Sequence, residues 1–142
     1  MWHYIRTYPI SLLTIGVVAY LSFMNPPEIK RFLFPGWDKF VHFCMYGGIS
    51  GMLWTEFWLH HRRKKANVIY AIVGAVICPV LFGGLIEVGQ KYLTVNRSGS
   101  WLDVAANSCG VAAATLVAWF VLRPVILNNY KRKGGSRVNE DK

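Results

Sequence analysis

Charge is scarce in this sequence and missing altogether from long parts of it. Of 142 residues only 16% are Asp, Glu, Lys or Arg, where a soluble globular domain carries roughly 25%. Four blocks hold none: 21 residues between Arg6 and Glu28, 16 between Lys39 and Glu56, 21 from Ala66 to Ile86, and 19 from Val104 to Leu122. A soluble domain would break such blocks with charges every few residues to keep one helix face wet. Cysteine is scarce too. Three residues with no CxxC pair exclude a disulfide scaffold and a zinc-ribbon pattern. No G-x-S-x-G nucleophile elbow is present, and there is no internal repeat or low-complexity tract. Disorder as a whole is excluded by a chain that is 54% hydrophobic and 15% aromatic.

What is there is apolar sequence in lengths that match a bilayer. A helix crossing the hydrocarbon core needs about 20 mostly apolar residues, within a range of about 17–25. The short second block is extended past Glu56 by Phe57, Trp58 and Leu59. The expectation is an all-α polytopic membrane protein with four transmembrane helices, near 8–25, 38–59, 67–92 and 101–123. They form one domain over 1–127, followed by a basic tail over 128–142 that reads as disordered. The first span is not read as a cleaved signal, because Ser22-Phe23-Met24-Asn25-Pro26-Pro27 lacks a small-residue cleavage site; Pro26-Pro27 ends the helix instead.

The basic residues set the orientation. Four spans put the N-terminus, the second loop and the C-terminus on one side. That side carries Arg6, Arg62, Arg63, Lys64, Lys65, Arg123, Lys131, Arg132, Lys133, Arg137 and Lys142; the other carries only Lys30, Arg31, Lys39, Lys91 and Arg97. The positive-inside bias places both termini in the cytoplasm of a multi-pass protein of the cell (inner) membrane. It also accounts for the net charge of +9 without nucleic acid, since no basic element interleaved with aromatics is present. Trp2, Trp37, Trp54, Trp58 and Trp101 fall near the expected interfaces, as an aromatic belt does.

The remaining polar residues fall at one end of the expected bundle. Asp38, His42 and Tyr46 are spaced four apart and share a helix face, with Lys39 beside them. Glu87 and Gln90 are three apart. Asp103, Asn107 and Gly110 follow the same periodicity on the last span. Ionisable groups at membrane depth are costly and normally face a bundle interior or a wet cavity. Asp38 and Asp103 each have a simpler role as helix-start carboxylates, Asp103 within the capping box Ser100-Trp101-Leu102-Asp103. Glu87 has none: it stands near a helix C-terminus, where the dipole disfavours a carboxylate, so it is either protonated or holds a cation, Lys39 or Arg97. Tyr46 also reads as core, and Asn107 as interhelical glue. One His beside carboxylates is not a metal-ligand set, so neither metal nor cofactor is expected. Cys44, Cys78 and Cys109 read as small apolar residues. Gly47, Gly48, Gly51, Gly83, Gly84 and the stripe Ala106, Gly110, Ala114 read as close-packing surfaces.

The run Asp38-Lys39-Phe40-Val41-His42-Phe43-Cys44-Met45-Tyr46 resembles the D-K-x-x-H-F-x-x-Y signature of VanZ-like membrane proteins. Glu87-Val88-Gly89-Gln90, then Arg97, then Asp103-Val104-Ala105-Ala106-Asn107 and Gly110 look like the later elements of that family. The match covers about residues 34–122 in the family's order. It implies a small bacterial polytopic membrane protein of the cell envelope. The family takes its name from a member linked to low-level resistance to the glycopeptide antibiotic teicoplanin. No reaction is implied.

Two readings of the cluster stay open. In one, Lys39 and Arg97, with the helix starts beside them, recognise a lipid-linked phosphate together with Tyr46, Gln90 and Asn107. Asp38, His42, Glu87 and Asp103 then serve as orienting groups or as acid and base. Hydrolysis or transfer is not excluded by this set, but no nucleophile motif supports it. In the other, the cluster is a rigid interhelical network in a non-enzymatic protein that binds an envelope partner. Membrane lipids are partners in both, and a homo-oligomer is compatible with either.

Overall fold

The computed structural model describes residues 7–23, 36–61, 67–93 and 100–140. Among them every regular element is helical and there is no strand. Helix α1 spans Pro9–Phe23 and α2 spans Trp37–His61. Helix α3 runs without a break through Val68–Ile72, a π-helical turn Val73–Ile77, and Cys78–Leu93. Helix α4 does the same through Trp101–Val117, a π turn Ala118–Leu122, and Arg123–Glu140. The four expected helices are therefore present. Two of them, Val68–Tyr92 and Trp101–Tyr130, are long and apolar enough to cross a membrane.

Both π turns have the same cause. Pro79 and Pro124 lack an N–H and crowd the carbonyl four residues earlier, Ala75 and Phe120, so each helix widens just upstream of its proline. In α3 the freed carbonyl is not wasted. The Ser50 hydroxyl of α2 donates to Ala75 O at 2.7 Å, in a fully buried position.

Cross-helix contacts give the directions. His42 meets Asn107 and Trp54 meets Thr115, so α2 and α4 run parallel. His42 also meets Glu87 while Ser50 meets Ala75, so α3 runs the other way. Ser11 meets Glu56 and Ser22 meets Gln90, which sets α1 against α2 and alongside α3. The α2–α4 pair touches backbone to backbone. A Cβ added at Gly110 would run into the Phe43 carbonyl oxygen and stand 3.0 Å from Gly47 N, and one at Gly47 would stand 3.2 Å from Gly110 O. Only glycine permits that approach.

Burial is inverted relative to a water-soluble bundle. Ser11, Ser22, His42, Ser50, Glu56, Glu87, Gln90, Asp103 and Asn107 are all buried, while Leu13, Ile69, Leu85 and Phe120 are each about 70% exposed. Trp54 and Trp58 correct the aromatic-belt expectation. They are 1% and 5% exposed and form a core with Phe57 and Trp119, with the Arg123 guanidinium 4.7 Å from the Trp119 ring and 5.3 Å from that of Trp58. Trp101, by contrast, is exposed; Trp2 lies outside the described residues.

Beyond residue 127, α4 continues as helix to Glu140. Once a helix is nucleated, each added residue needs only propagation, which Lys131, Arg132, Lys133 and Arg137 support and Gly134 and Gly135 oppose.

Candidate functional site

The polar residues gather at the end of the bundle where α2 and α4 begin and α3 finishes. Ser100 opens α4: its hydroxyl accepts from Leu102 N at 3.2 Å, and its own N–H donates to Glu87 Oε2 at 3.2 Å. The capping reading thus holds for the Ser100 side chain. Asp103, one turn in, is buried and faces α2 instead. Its Oδ1 lies 4.0 Å from Lys39 Nζ and accepts no hydrogen bond from any described residue.

His42 is the hub. Its Nδ1 is 3.1 Å from Asn107 Oδ1 on α4 and 3.3 Å from Glu87 Oε1 on α3. With the ring proton on Nδ1, donated to Asn107 Oδ1, the neutral ring keeps the Nε2 lone pair. The cation opposite Glu87 is therefore this imidazole when protonated, not Lys39, which turns to Asp103; Arg97 lies outside the described residues. Among the described residues this end of the bundle holds three carboxylates, Asp38, Glu87 and Asp103, against two ammonium groups, Lys39 and Lys91.

Asp38, His42 and Asp103 each offer one ligand atom, and all three atoms lie within 4.8 Å of one another. Spacing in the sequence could bring Asp38 and His42 onto one face. That Asp103 joins them depends on the α2–α4 crossing, 61 residues away along the chain from His42. The trio has the residue types of a metal-ligand set.

Tyr46 is fully buried one turn further in, its hydroxyl without a partner among the described residues. Together with Asn107 Nδ2 it packs where a Cβ at Gly83 would sit, at 3.0 and 2.9 Å. Gln90 goes elsewhere: its amide donates to the Ser22 carbonyl at 2.7 Å, tying the end of α3 to the end of α1.

One polar residue had been passed over. Glu56, near the far end of α2, is 8% exposed and caps α1. Its Oε1 accepts from Ile10 N at 3.0 Å, and its Oε2 accepts from Ser11 N at 3.1 Å and from the Ser11 hydroxyl. The only hint in the sequence is that α1 opens on Pro9 with no acidic residue in its first turn. A cavity of about 530 Å³ lies at this far end, between Tyr8, Leu12, Phe57, His61 and Tyr70, away from the polar cluster.

No family model matches the chain, and neither does any curated protein or any solved structure.

Proposed function

We infer that this chain is a multi-pass protein of a bacterial cytoplasmic membrane, with four spans and both termini inside. Its polar end faces outward and recognises an anionic envelope lipid headgroup, a lipid-linked phosphate. Alternating helix directions, the eleven-to-five bias of basic residues and the buried-polar, exposed-apolar surface support the topology. α1, at 15 residues, covers about 22 Å, short of a full core thickness of about 30 Å, so the bilayer must thin or the flanking residues extend it. The resemblance to VanZ-like proteins in Asp38-Lys39 through Tyr46, and again around Glu87 and Asp103, supports the same placement.

One observation carries the headgroup reading. The starts of α2 and α4, the positive ends of two helix dipoles, converge beside Lys39 on a buried acid–imidazole–amide cluster. Such a point, at the depth of a headgroup, is where a phosphate gains both hydrogen bonds and charge. Native mass spectrometry of the detergent-purified protein tests it: wild type should retain a phosphate-bearing lipid, and Lys39→Ala and Arg97→Ala should lose it. Equal retention in all three would remove the reading.

The cross-helix bonds His42–Asn107 and Gln90–Ser22 favour a second reading, a rigid network in a protein that acts through a partner. On that reading Glu87→Gln lowers folded yield without any specific lipid ever having been bound.

A further inference from the structure

We propose that Asp38, His42 and Asp103 form a binding site for a divalent transition-metal cation of the Zn²⁺ or Mn²⁺ type. The site goes beyond lipid recognition and does not depend on it.

The argument starts from the ligand set. One imidazole and two carboxylates make a mixed nitrogen–oxygen donor trio, which suits Zn²⁺ or Mn²⁺ better than Ca²⁺ or Mg²⁺, cations that prefer oxygen alone. Around a cation at about 2.1 Å, neighbouring ligand atoms stand about 3–3.5 Å apart. The three donors already lie within 4.8 Å of one another, so the side chains need to close by about 1.5 Å or less. Asp38 is half-buried at the start of α2.

The second shell is already in place. A metal-ligating imidazole normally donates its other N–H to a carboxylate or a carbonyl, which fixes the tautomer and the ring plane. His42 Nδ1 is paired in this way with Asn107 Oδ1, with Glu87 Oε1 3.3 Å away, and the proposal takes Nε2 as the ligand nitrogen. Glu87 is held in turn by the Ser100 N–H.

A buried carboxylate oxygen without a hydrogen bond points the same way. Asp103 is 5% exposed and its Oδ1 accepts no hydrogen bond among the described residues. A carboxylate in that position is costly unless something positive meets it. Lys39, 45% exposed in its side chain, reaches only to 4.0 Å. A divalent ion held by Asp38, His42 and Asp103 would meet that carboxylate. Three protein ligands also leave coordination positions open on the ion, to which a phosphate oxygen could bind.

The test uses the full-length protein, chelator-stripped in detergent without added lipid phosphate. Zn²⁺ and Mn²⁺ are titrated separately, with Mg²⁺ for comparison, and bound metal and melting temperature are read together. Wild type should bind one equivalent of Zn²⁺ or Mn²⁺ per chain, more tightly than Mg²⁺, and melt higher when loaded. Asp103→Asn and His42→Gln should weaken binding at least tenfold, and Asn107→Leu, in the second shell, ten- to a hundredfold, on the order of such effects elsewhere. Asp38→Asn guards against misfolding, because asparagine still suits a helix start; it should keep the apo melting temperature and lose the metal-dependent rise. The proposal is overturned if folded wild type binds no equivalent, if Asp38→Asn and Asp103→Asn bind as wild type does, or if only Arg97→Ala binds. That last result would make the Arg97 guanidinium the resident cation. Lipid retention is read in a separate experiment, so either reading can fail without the other.

Discussion

Replacing Glu56 by alanine should detach the start of α1 from the bundle. The carboxylate accepts two backbone N–H groups, from Ile10 and Ser11, and the Ser11 hydroxyl. Each buried donor left without an acceptor costs about 1–3 kcal/mol. Ile10 is 54% exposed and belongs near the low end of that range, while fully buried Ser11 belongs near the middle. A carboxylate at a helix N-terminus adds about 0.3–1 kcal/mol through the dipole, and up to about 2 when partly buried. The expected loss for Glu56→Ala is therefore about 3–5 kcal/mol. Glu56→Gln keeps one acceptor oxygen but turns an NH₂ toward the other donors, and should lose about 2 kcal/mol. Ser11→Ala should lose about 1 kcal/mol in wild type and nothing in the Glu56→Ala background, since the hydroxyl's partner is then gone. Reversible unfolding in mixed micelles measures the totals, and hydrogen exchange across residues 9–23 shows whether the loss is local to α1. A Glu56→Ala protein within about 0.5 kcal/mol of wild type, a typical surface-substitution effect, with unchanged exchange in α1, would refute the reasoning.

Three further outcomes follow from the packing. Gly110→Ala should lose at least about 2–3 kcal/mol in the same unfolding assay, because its Cβ meets backbone that cannot rotate away; Gly48→Ala and Gly84→Ala, facing open space, should stay within about 1 kcal/mol of wild type. Ser50→Ala should lose about 1–2 kcal/mol in wild type but much less in a Pro79→Ala background, where the restored residue-79 N–H can serve the Ala75 carbonyl that Ser50 now serves. Arg123→Gln should lose about 1–2 kcal/mol by removing a cation from over Trp58 and Trp119, with a measurable change in tryptophan emission.

Much of the helical layout was legible because charge, or its lack, is a local property. Four charge-free blocks implied four helices, and the structure has them. The 38–42–46 spacing placed three side chains on one face of α2, and the structure buries two of them at the bundle centre. Other features depended on proximity that spacing cannot encode. Glu56 sits 45 residues from the N–H of Ser11 it binds, and Gln90 sits 68 from the Ser22 carbonyl. Trp54 and Trp58 have a composition equally suited to an interface belt and to a core, and only the meeting of α2 with Trp119 of α4 decided for the core.

The sequence by itself determined the number of helices, the polar face of each, the glycines at which two helices can touch, and the end at which the polar residues collect. All of these follow from short-range periodicity and from the cost of placing charge in an apolar segment. Only the tertiary structure decided the partners: His42 with Asn107 and Glu87, Asp103 beside Asp38 and His42, Glu56 as the cap of α1, Ser50 on the carbonyl freed by Pro79. Those pairings depend on how far each helix slides and turns against its neighbours, which here is set by the backbone contact of Gly47 with Gly110. A shift of one residue on either helix would rotate a different side chain into the cluster.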